Sequence, residues 1–359
     1  MKVLIVGTGL AGCLAAHFES LAGNEVYMTD RAKQFGGLCR SQKIMGIDVH
    51  VHGPHVFHTN SPQVWNFVNS ITPFEEYFIK VKAHTNENIY SFPINLTTLQ
   101  QLGLANDEQQ AEAYFKSVAE QYRPTIEGLA LSTIGKQLYE LFIKDYTLKQ
   151  WGAHAFMLPD SILKRIPFRT TNDDRYYDAR FSGVPVKGWT NFLEQLVSGV
   201  KEITLNKTTT LDELKAFDGK VIYTGRLDEL FNFVIGPLPF RTVSHTHEIY
   251  PKTKFVQGVP VINHCDLSVK FTRTIEHKLL CNNEEVHNLP HTVLSFEYPN
   301  QFFSGSMPCY PIEVESNKAL QRRYEIFFQE TGFTRFGRLA CYRYMNMDQI
   351  VEQVMNAYC

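Results

Sequence analysis

A glycine-rich loop at the start of the chain constrains the fold more than any other feature. The apolar run VLIV predicts a buried strand, and Gly7, Gly9 and Gly12 follow it directly in the spacing G-x-G-x-x-G. A helical stretch comes next, and a second strand ends at Asp30. In this order the pattern predicts a dinucleotide-binding α/β domain, because a pyrophosphate can lie against the glycine backbone at the N-terminus of a helix.

The residues of this segment have separate predicted roles. Gly7 permits a tight turn, Gly9 lets the backbone approach the pyrophosphate, and Gly12 lets the helix pack against the strand. Asp30 is placed to accept hydrogen bonds from a ribose diol. A second glycine pair follows this acid and favours FAD over NAD, since small residues let an extended flavin pass. The predicted cofactor contacts in this segment are Gly7, Gly9, Leu10, Gly12, Asp30, Arg31, Gly36, Gly37 and Leu38.

Composition excludes several classes of protein. The 359 residues suffice for two or three domains, and the formal net charge of −2 argues against nucleic acid or an anionic membrane as a partner. The longest apolar run, near residues 3–16, is too short to span a bilayer, and no basic segment precedes it as in a signal peptide. The seven cysteines form no C-x-x-C pair, so we expect free thiols in a reducing cytoplasm.

The rest of the chain divides into helical and sheet segments. Residues 97–150 have helical periodicity, and residues 240–300 alternate as in an antiparallel sheet. The segment KVIYTG and the stretch around Arg338 are predicted to return to the first sheet. The predicted fold class is therefore α/β, with a discontinuous FAD-binding Rossmann-like domain. The predicted ranges are 1–78, 183–235 and 311–359 for the FAD-binding domain, 97–150 for an inserted helical domain, and 79–96, 151–182 and 236–310 for an antiparallel β-sheet domain with a mobile loop near 166–180.

The segment DVHVHGPHVFHTN, residues 48–60, carries His50, His52, His55 and His58. A metal site, a group of acid–base catalysts, the edge of a cofactor pocket or a solvated loop would each account for them. No Cys, Asp or Glu at ligand spacing completes a metal shell from this segment, so we predict no metal site. His50 and His52 are predicted to lie on one face of a strand that passes the cofactor pocket.

Three further stretches combine aromatic and charged residues. Tyr146, Thr147 and Trp151 lie at the end of a predicted helix, and residues 163–185 are rich in Arg, Asp, Asn and Gly, as in a mobile loop. Arg273 lies on a predicted strand in the segment FTRTIEHK. An arginine can bind a diphosphate through two hydrogen bonds, and an aromatic ring can stack on a base.

Several of these segments together resemble those of the bacterial UDP-galactopyranose mutase family, over nearly the whole chain. The matching segments include LIVGTGLAG, GPHVFHTN, KQWG, LKRIP, TRTIEHK and RLACYRY. The resemblance implies a flavoenzyme built from an FAD-binding α/β domain, a helical domain and an antiparallel sheet. It also implies a cytoplasmic homodimer that serves the synthesis of cell-surface polysaccharide.

The resemblance assigns roles to individual residues. His55 would lie beside the flavin ring, and Arg165 and Arg273 would hold the diphosphate of the substrate as catalytic residues. Arg338 would contact FAD, as His55 would. The implied substrate-binding residues are Tyr146, stacking on the uracil, with Thr147, Trp151, Tyr176, Asn263, Tyr310 and Tyr344.

The implied reaction interconverts UDP-galactopyranose and UDP-galactofuranose, or a close analogue, without net redox change. N5 of reduced FAD would act as the nucleophile, with NAD(P)H as the electron donor. The chain departs from the family pattern at His52, where tyrosine is usual, at Arg226, where proline is common, and at Leu38, Phe336 and Asn346. These departures leave the sugar and the nucleotide, UDP or dTDP, open. Two alternatives are an amine-oxidase-like FAD oxidoreductase and a flavoprotein that binds nucleotide sugars without mutase activity.

Overall fold

The computed structural model describes residues 1–303 and 305–358. The strands in chain order are β1 (Lys2–Val6), β2 (Glu25–Thr29), β3 (Ser41–Ile44), β4 (Ile47–His50), β5 (Phe57–Thr59), β6 (Phe74–Glu76), β7 (Val81–Thr85), β8 (Asn88–Phe92), β9 (Phe181–Pro185), β10 (Glu202–Thr204), β11 (Lys220–Tyr223), β12 (Phe240–Tyr250), β13 (Val261–His264), β14 (Arg273–Glu276), β15 (Thr292–Gln301), β16 (Tyr310–Pro311) and β17 (Thr334–Arg335). The α-helices are α1 (Leu10–Leu21), α2 (Pro62–Ile71), α3 (Leu96–Gln101), α4 (Glu108–Val118), α5 (Ile126–Thr133), α6 (Gly135–Leu138), α7 (Asp145–Trp151), α8 (Trp189–Leu196), α9 (Leu211–Lys215), α10 (Leu227–Leu230), α11 (Glu284–His287), α12 (Glu315–Gln329), α13 (Gly337–Ala340) and α14 (Met347–Tyr358).

A five-stranded parallel sheet in the order β10-β2-β1-β11-β17 forms the first layer. Its strands come from three distant parts of the chain, and Val3, Ile5 and Ile222 are fully buried in it. Helices α1 and α14 pack against each other. The α/β, Rossmann-like fold class predicted from the glycine loop is confirmed. Because parallel strands end at one edge of the sheet, the loops that follow Val6, Thr29 and Tyr223 meet in a common crevice.

A seven-stranded mixed sheet in the order β16-β12-β15-β14-β13-β7-β8 forms the second layer. Its pairs are antiparallel except that β13 runs parallel to β7. The strands predicted over 240–300 therefore form the larger part of a sheet that residues 81–92 and 310–311 complete. The register places Arg273 directly opposite Glu297, and Asn263 opposite Arg273.

Helices α3 to α7 form a block against this sheet. Ile134, Leu138 and Phe142, three members of one helical stripe, are buried, and the ring of Phe142 lies 5.5 Å from that of Tyr90 on β8. A π-helical turn, Tyr139–Lys144, joins α6 to α7. Such turns are rare and occur mostly at functional sites, and this one directly precedes the helix that carries Tyr146 and Trp151.

The stretch around Arg338 returns to the parallel sheet as predicted, because β17 pairs with β11, and Arg338 itself lies in the short helix α13 that follows. One local prediction was wrong. His52 lies in the turn that follows β4, so it does not share a strand face with His50. Among the described residues, no helix combines the length and the apolar content needed to cross a membrane.

Candidate active site

A groove of about 390 Å³ lies at the carboxyl ends of the parallel strands. Its wall is the backbone of the glycine loop, where a Cβ added to Gly37 would lie only 2.9 Å from the Cα of Gly9. Side chains at this contact are excluded, which leaves polar backbone exposed to a ligand. The predicted cofactor residues that line the groove are Gly7, Gly9, Leu10, Asp30, Arg31, Gly37, Leu38, His55 and Arg338.

Asp30 is held in one orientation at this groove. Its Oδ2 accepts hydrogen bonds from the backbone N–H and the hydroxyl of Thr8, both at 2.7 Å, and its Oδ1 accepts one from Ala32 N–H at 2.8 Å. The guanidinium of Arg31 pairs with Glu229 across the groove wall, at 2.5 Å. Thr208, Thr209 and Thr210 also line the groove and were not predicted, and Thr210 caps helix α9. The run of threonines directly before a helix is the sequence feature that could have predicted them.

Two predicted cofactor residues, Gly12 and Gly36, lie outside the lining of this groove. A Cβ on Gly12 would lie 2.0 Å from the carbonyl oxygen of Gly7, so this glycine allows the helix to pack against the loop. Gly36 has a φ of +102° and precedes the short 3-10 helix Gly37–Cys39. Both glycines therefore shape the backbone beside the groove.

A second, narrow cavity of about 80 Å³ adjoins the groove. His55, Arg338 and Met347 line both spaces and form the boundary between them. The structure brings together here most of the residues predicted to act on the substrate. The predicted residues that line the narrow cavity are His55, Arg165, Tyr176, Arg273, Tyr310, Arg338 and Tyr344.

Arginine and tyrosine side chains interlock in this cavity. Arg165 Nη1 donates a hydrogen bond to the hydroxyl of Tyr344, and the guanidinium carbon lies 5.0 Å from the ring centroid. Arg338 stacks on the same ring at 4.7 Å and donates to the carbonyl of Met345 at 2.6 Å. Burial opposes ionisation of Tyr344, but the surrounding guanidiniums outweigh it and lower the pKa of this phenol. The cavity is therefore strongly electropositive on this side.

Glu297 is a cavity residue that the sequence did not reveal. Its carboxylate is 1% exposed, lies 3.3 Å from Arg273 Nε, and accepts a hydrogen bond from the hydroxyl of Thr272 at 3.0 Å. Burial by itself would raise the pKa of this acid, whereas the charge of Arg273 and the contact with His245 lower it to about 2. The side chain is thus a buried anion that balances one of the two predicted catalytic arginines.

The four clustered histidines take different positions. His55, His52 and His58 line the narrow cavity, whereas His50 is buried beneath it. The Nε2 of His55 lies 2.7 Å from the carbonyl oxygen of Leu38, and burial lowers the pKa of His55 well below its usual value. The ring of His58 stacks on Tyr177 at 3.8 Å. Over residues 1–303 and 305–358, no group of three or more His, Cys, Asp or Glu is arranged to hold a metal ion.

Four predicted substrate residues lie behind the narrow cavity and do not line it. The hydroxyl of Tyr146 accepts a hydrogen bond from Arg273 Nε at 2.9 Å. Trp151 is buried with its ring 5.5 Å from that of Tyr310, and Thr147 and Asn263 are buried as well. Tyr146 thus supports Arg273, and Trp151 packs against Tyr310.

Several residues of two segments that match the family, KQWG and TRTIEHK, have structural roles. Lys149 donates to three backbone carbonyls, those of His264, Asp266 and Val269. The fully buried Glu276 accepts from three consecutive backbone N–H groups, residues 256–258, and from Thr292. Lys278, also fully buried, donates to three carbonyls. These charges fix the loops beside strand β14, which carries Arg273.

The fold and the site define a dinucleotide-binding α/β protein with an electropositive cavity beside the dinucleotide groove. A family model described as UDP-galactopyranose mutase matches residues 141–344, and one for an NAD(P)-binding Rossmann-like domain matches residues 5–71. The chain is 34% identical to dTDP-fucopyranose mutase of Escherichia coli, over 99% of this chain and 96% of the relative. It is 35% identical to the probable UDP-galactopyranose mutase of Klebsiella pneumoniae, over 99% and 93%.

The chain therefore belongs to the UDP-galactopyranose mutase family of flavoenzymes, as the sequence segments predicted. The crystal structure of a reduced UDP-galactopyranose mutase superposes with a TM-score of 0.77, covers 99% of this chain and 93% of the other, and is 14% identical. At this identity the likeness concerns the fold alone.

Proposed function

We propose that this flavoenzyme interconverts the pyranose and furanose forms of a nucleotide sugar, UDP-galactose or a close analogue, without net redox change. One observation carries the proposal: the electropositive cavity adjoins the dinucleotide groove, and His55 and Arg338 line both spaces. A sugar whose diphosphate is bound by the arginines would lie between them and the flavin. Family membership favours this activity over that of an amine-oxidase-like oxidoreductase.

The residues present fit FAD. The contact between Gly9 and Gly37 leaves bare backbone for a pyrophosphate, and Asp30, bonded to Thr8 of the glycine loop, is fixed to meet a ribose diol. When bound and reduced, FAD supplies the nucleophile of the reaction implied by the family. We propose NAD(P)H as the source of the electrons. The role of the protein is to bind, orient and exclude water.

Arg165 and Arg273 would hold the diphosphate as it leaves and returns. Charge develops on the diphosphate as its bond to the sugar breaks, so guanidiniums fixed in advance stabilise that stage more than the bound substrate. Glu297 holds Arg273, and Tyr344 holds Arg165. Tyr310 and Tyr344 would add hydroxyl donors to the same group, and Tyr146 and Asn263 would hold the base.

The narrow cavity is too small for this substrate as it stands. Its 80 Å³ would hold a few water molecules, whereas ligand pockets usually measure at least about 300 Å³. The segment 166–180 covers it, and backbone bonds such as Tyr176 N–H to Ile79 and Arg169 N–H to Ile94 dock this segment on the sheet. We therefore propose that the segment opens to admit the substrate and then closes again.

The sharpest test is a direct assay of ring interconversion. Protein reduced with dithionite would be incubated with UDP-galactofuranose or dTDP-fucofuranose, and the two ring forms separated by HPLC. Conversion in both directions by reduced protein, and none by oxidised protein, is the expected result. Stoichiometric consumption of NAD(P)H or oxygen would instead identify an oxidoreductase, and binding of UDP without ring conversion would identify a nucleotide-sugar-binding flavoprotein.

A further inference from the structure

A chain of hydrogen bonds connects the backbone of His55 to the protein surface. The N–H of His55 donates to Nδ1 of His50 at 3.0 Å, and the N–H of His50 donates to Nδ1 of His277 at 3.2 Å. The Nε2 of His277 lies 2.5 Å from Ser295 Oγ, which lies 2.6 Å from Nδ1 of the half-buried His247. The chain thus crosses from the turn after β4 to the mixed sheet.

The two backbone donors determine the protonation of the rings. A backbone N–H can only donate, so Nδ1 of His50 and Nδ1 of His277 must both be unprotonated acceptors. Each neutral ring therefore carries its proton on Nε2. The Nε2–H of His277 donates to Ser295 Oγ, which leaves the serine hydroxyl free to donate to His247. The carbonyl of Leu38 can only accept, so His55 is also protonated on Nε2 and keeps a lone pair on Nδ1.

Burial keeps the two inner rings neutral. His50 is 3% and His277 is 2% exposed. Desolvation lowers the pKa of His50 to about 3, and it lowers the pKa of His277 well below its usual value. Neither ring changes its charge near neutral pH, so both remain acceptors for the backbone.

We propose that His50 and His277 are positioning residues that fix His55 at the boundary between the dinucleotide groove and the narrow cavity. This inference rests on the proposed function only in placing His55 beside the flavin. His55 is held at three points: its N–H by His50, its carbonyl by the indole N–H of Trp189 and its ring by Leu38. His277 holds the backbone N–H of His50 in the same way. The link to His55 is a backbone amide, which does not relay protons. The hydrogen-bond chain therefore fixes the position of His55.

Matched substitutions separate this role from packing. Asparagine places an oxygen near the position of Nδ1 and keeps an acceptor, whereas leucine has a similar size and offers none. Turnover and the flavin midpoint potential would be measured in His50→Asn and His50→Leu, and in His277→Asn and His277→Leu, with thermal unfolding as a check on folding. We expect turnover at least tenfold lower and a shifted potential in the leucine variants. The asparagine variants should stay within threefold of wild type.

The His55→Ala background decides whether the effect passes through His55. In that background, the leucine and asparagine substitutions of His50 should give equal turnover, and so should those of His277. Nitrogen NMR of the flavin-bound protein with labelled histidine should find His50 and His277 protonated on Nε2. The inference would be overturned if, with His55 present, the leucine and asparagine variants had equal turnover and equal flavin potential. Protonation of His50 or His277 on Nδ1 would also overturn it. The NMR and potential measurements remain decisive even if the wild-type protein interconverts none of the sugars tested, so the two proposals fail separately.

Discussion

Arg273 and Glu297 face each other on neighbouring strands at the wall of the narrow cavity, with Nε 3.3 Å from the carboxylate. Removing one partner of a buried pair leaves the other charge uncompensated, which costs roughly 3–5 kcal/mol. We therefore expect Glu297→Gln to lower the melting temperature. UDP brings negative charge to Arg273, so it should raise the melting temperature of this variant more than that of wild type. Thermal unfolding with and without UDP measures both effects.

Glu248→Gln is the matched control for Glu297→Gln, because Glu248 lies on the exposed part of β12. It should melt like wild type. If UDP stabilises Glu297→Gln and wild type equally, then Glu297 does not balance the charge of Arg273.

Arg165 should drive closure of the covering segment. Arg165→Gln removes a charge at a developing anion, so turnover should fall roughly a hundredfold, equivalent to about 3 kcal/mol. UDP should protect residues 166–180 of wild type from chymotrypsin, which cleaves after Phe168, Tyr176 and Tyr177, but should protect the variant weakly. Arg175→Gln, which alters an arginine bound to Asp173 within the segment, serves as control. Equal protection of the Arg165 variant and wild type would show that another contact closes the segment.

Gly37→Ala should abolish FAD binding with little loss of secondary structure. Gly37 has a φ of +56°, and an added Cβ would lie 2.9 Å from Gly9 Cα, so the loop must move away from the pyrophosphate position. The flavin content of purified protein measures this directly. Gly23→Ala is matched for positive φ, at +75°, but meets no atom within 4 Å. Gly23→Ala should lose stability through backbone strain alone and should retain flavin.

Buried neutral histidines should make the protein unstable in mild acid. His50 has a pKa of about 3 when folded and about 6.5 when unfolded, so below pH 6.5 the unfolded chain binds the proton first. Stability is thus fully present above pH 6.5 and is lost as pH falls, by about 2 kcal/mol for this residue at pH 5. Urea unfolding at pH 7, 6 and 5 measures the slope.

The substitution His50→Asn should reduce that slope by the share of one histidine. Burial lowers the pKa values of His52 and His58 to about 4, so these residues should still contribute to the pH dependence of stability in the variant. His154→Asn, at an exposed position, should keep the wild-type profile. An unchanged slope in His50→Asn would contradict the assignment of His50 as a buried neutral ring.

Local patterns were sufficient for the dinucleotide-binding half of the fold. The spacing of Gly7, Gly9 and Gly12 and the acid at Asp30 describe one strand–loop–helix–strand unit, in which neighbours in sequence are neighbours in space. The stripe through Ile134 and Leu138 likewise predicted a helical block. Local composition pointed to the stretches that contain Arg165 and Arg273, whereas only the resemblance assigned their roles and that of Tyr344.

Tertiary structure alone decided which side chains meet. Glu297 becomes the partner of Arg273 because β14 and β15 pair in one register, and no spacing in the sequence reveals that register. His277 supports the histidine segment across 227 positions of chain, and Tyr177 stacks on His58 from the covering segment. The sequence by itself determined the backbone unit that holds a dinucleotide, since steric rules act between adjacent residues. The charges, tautomers and size of the second cavity depend on long-range packing and desolvation, which arise only when distant segments come together.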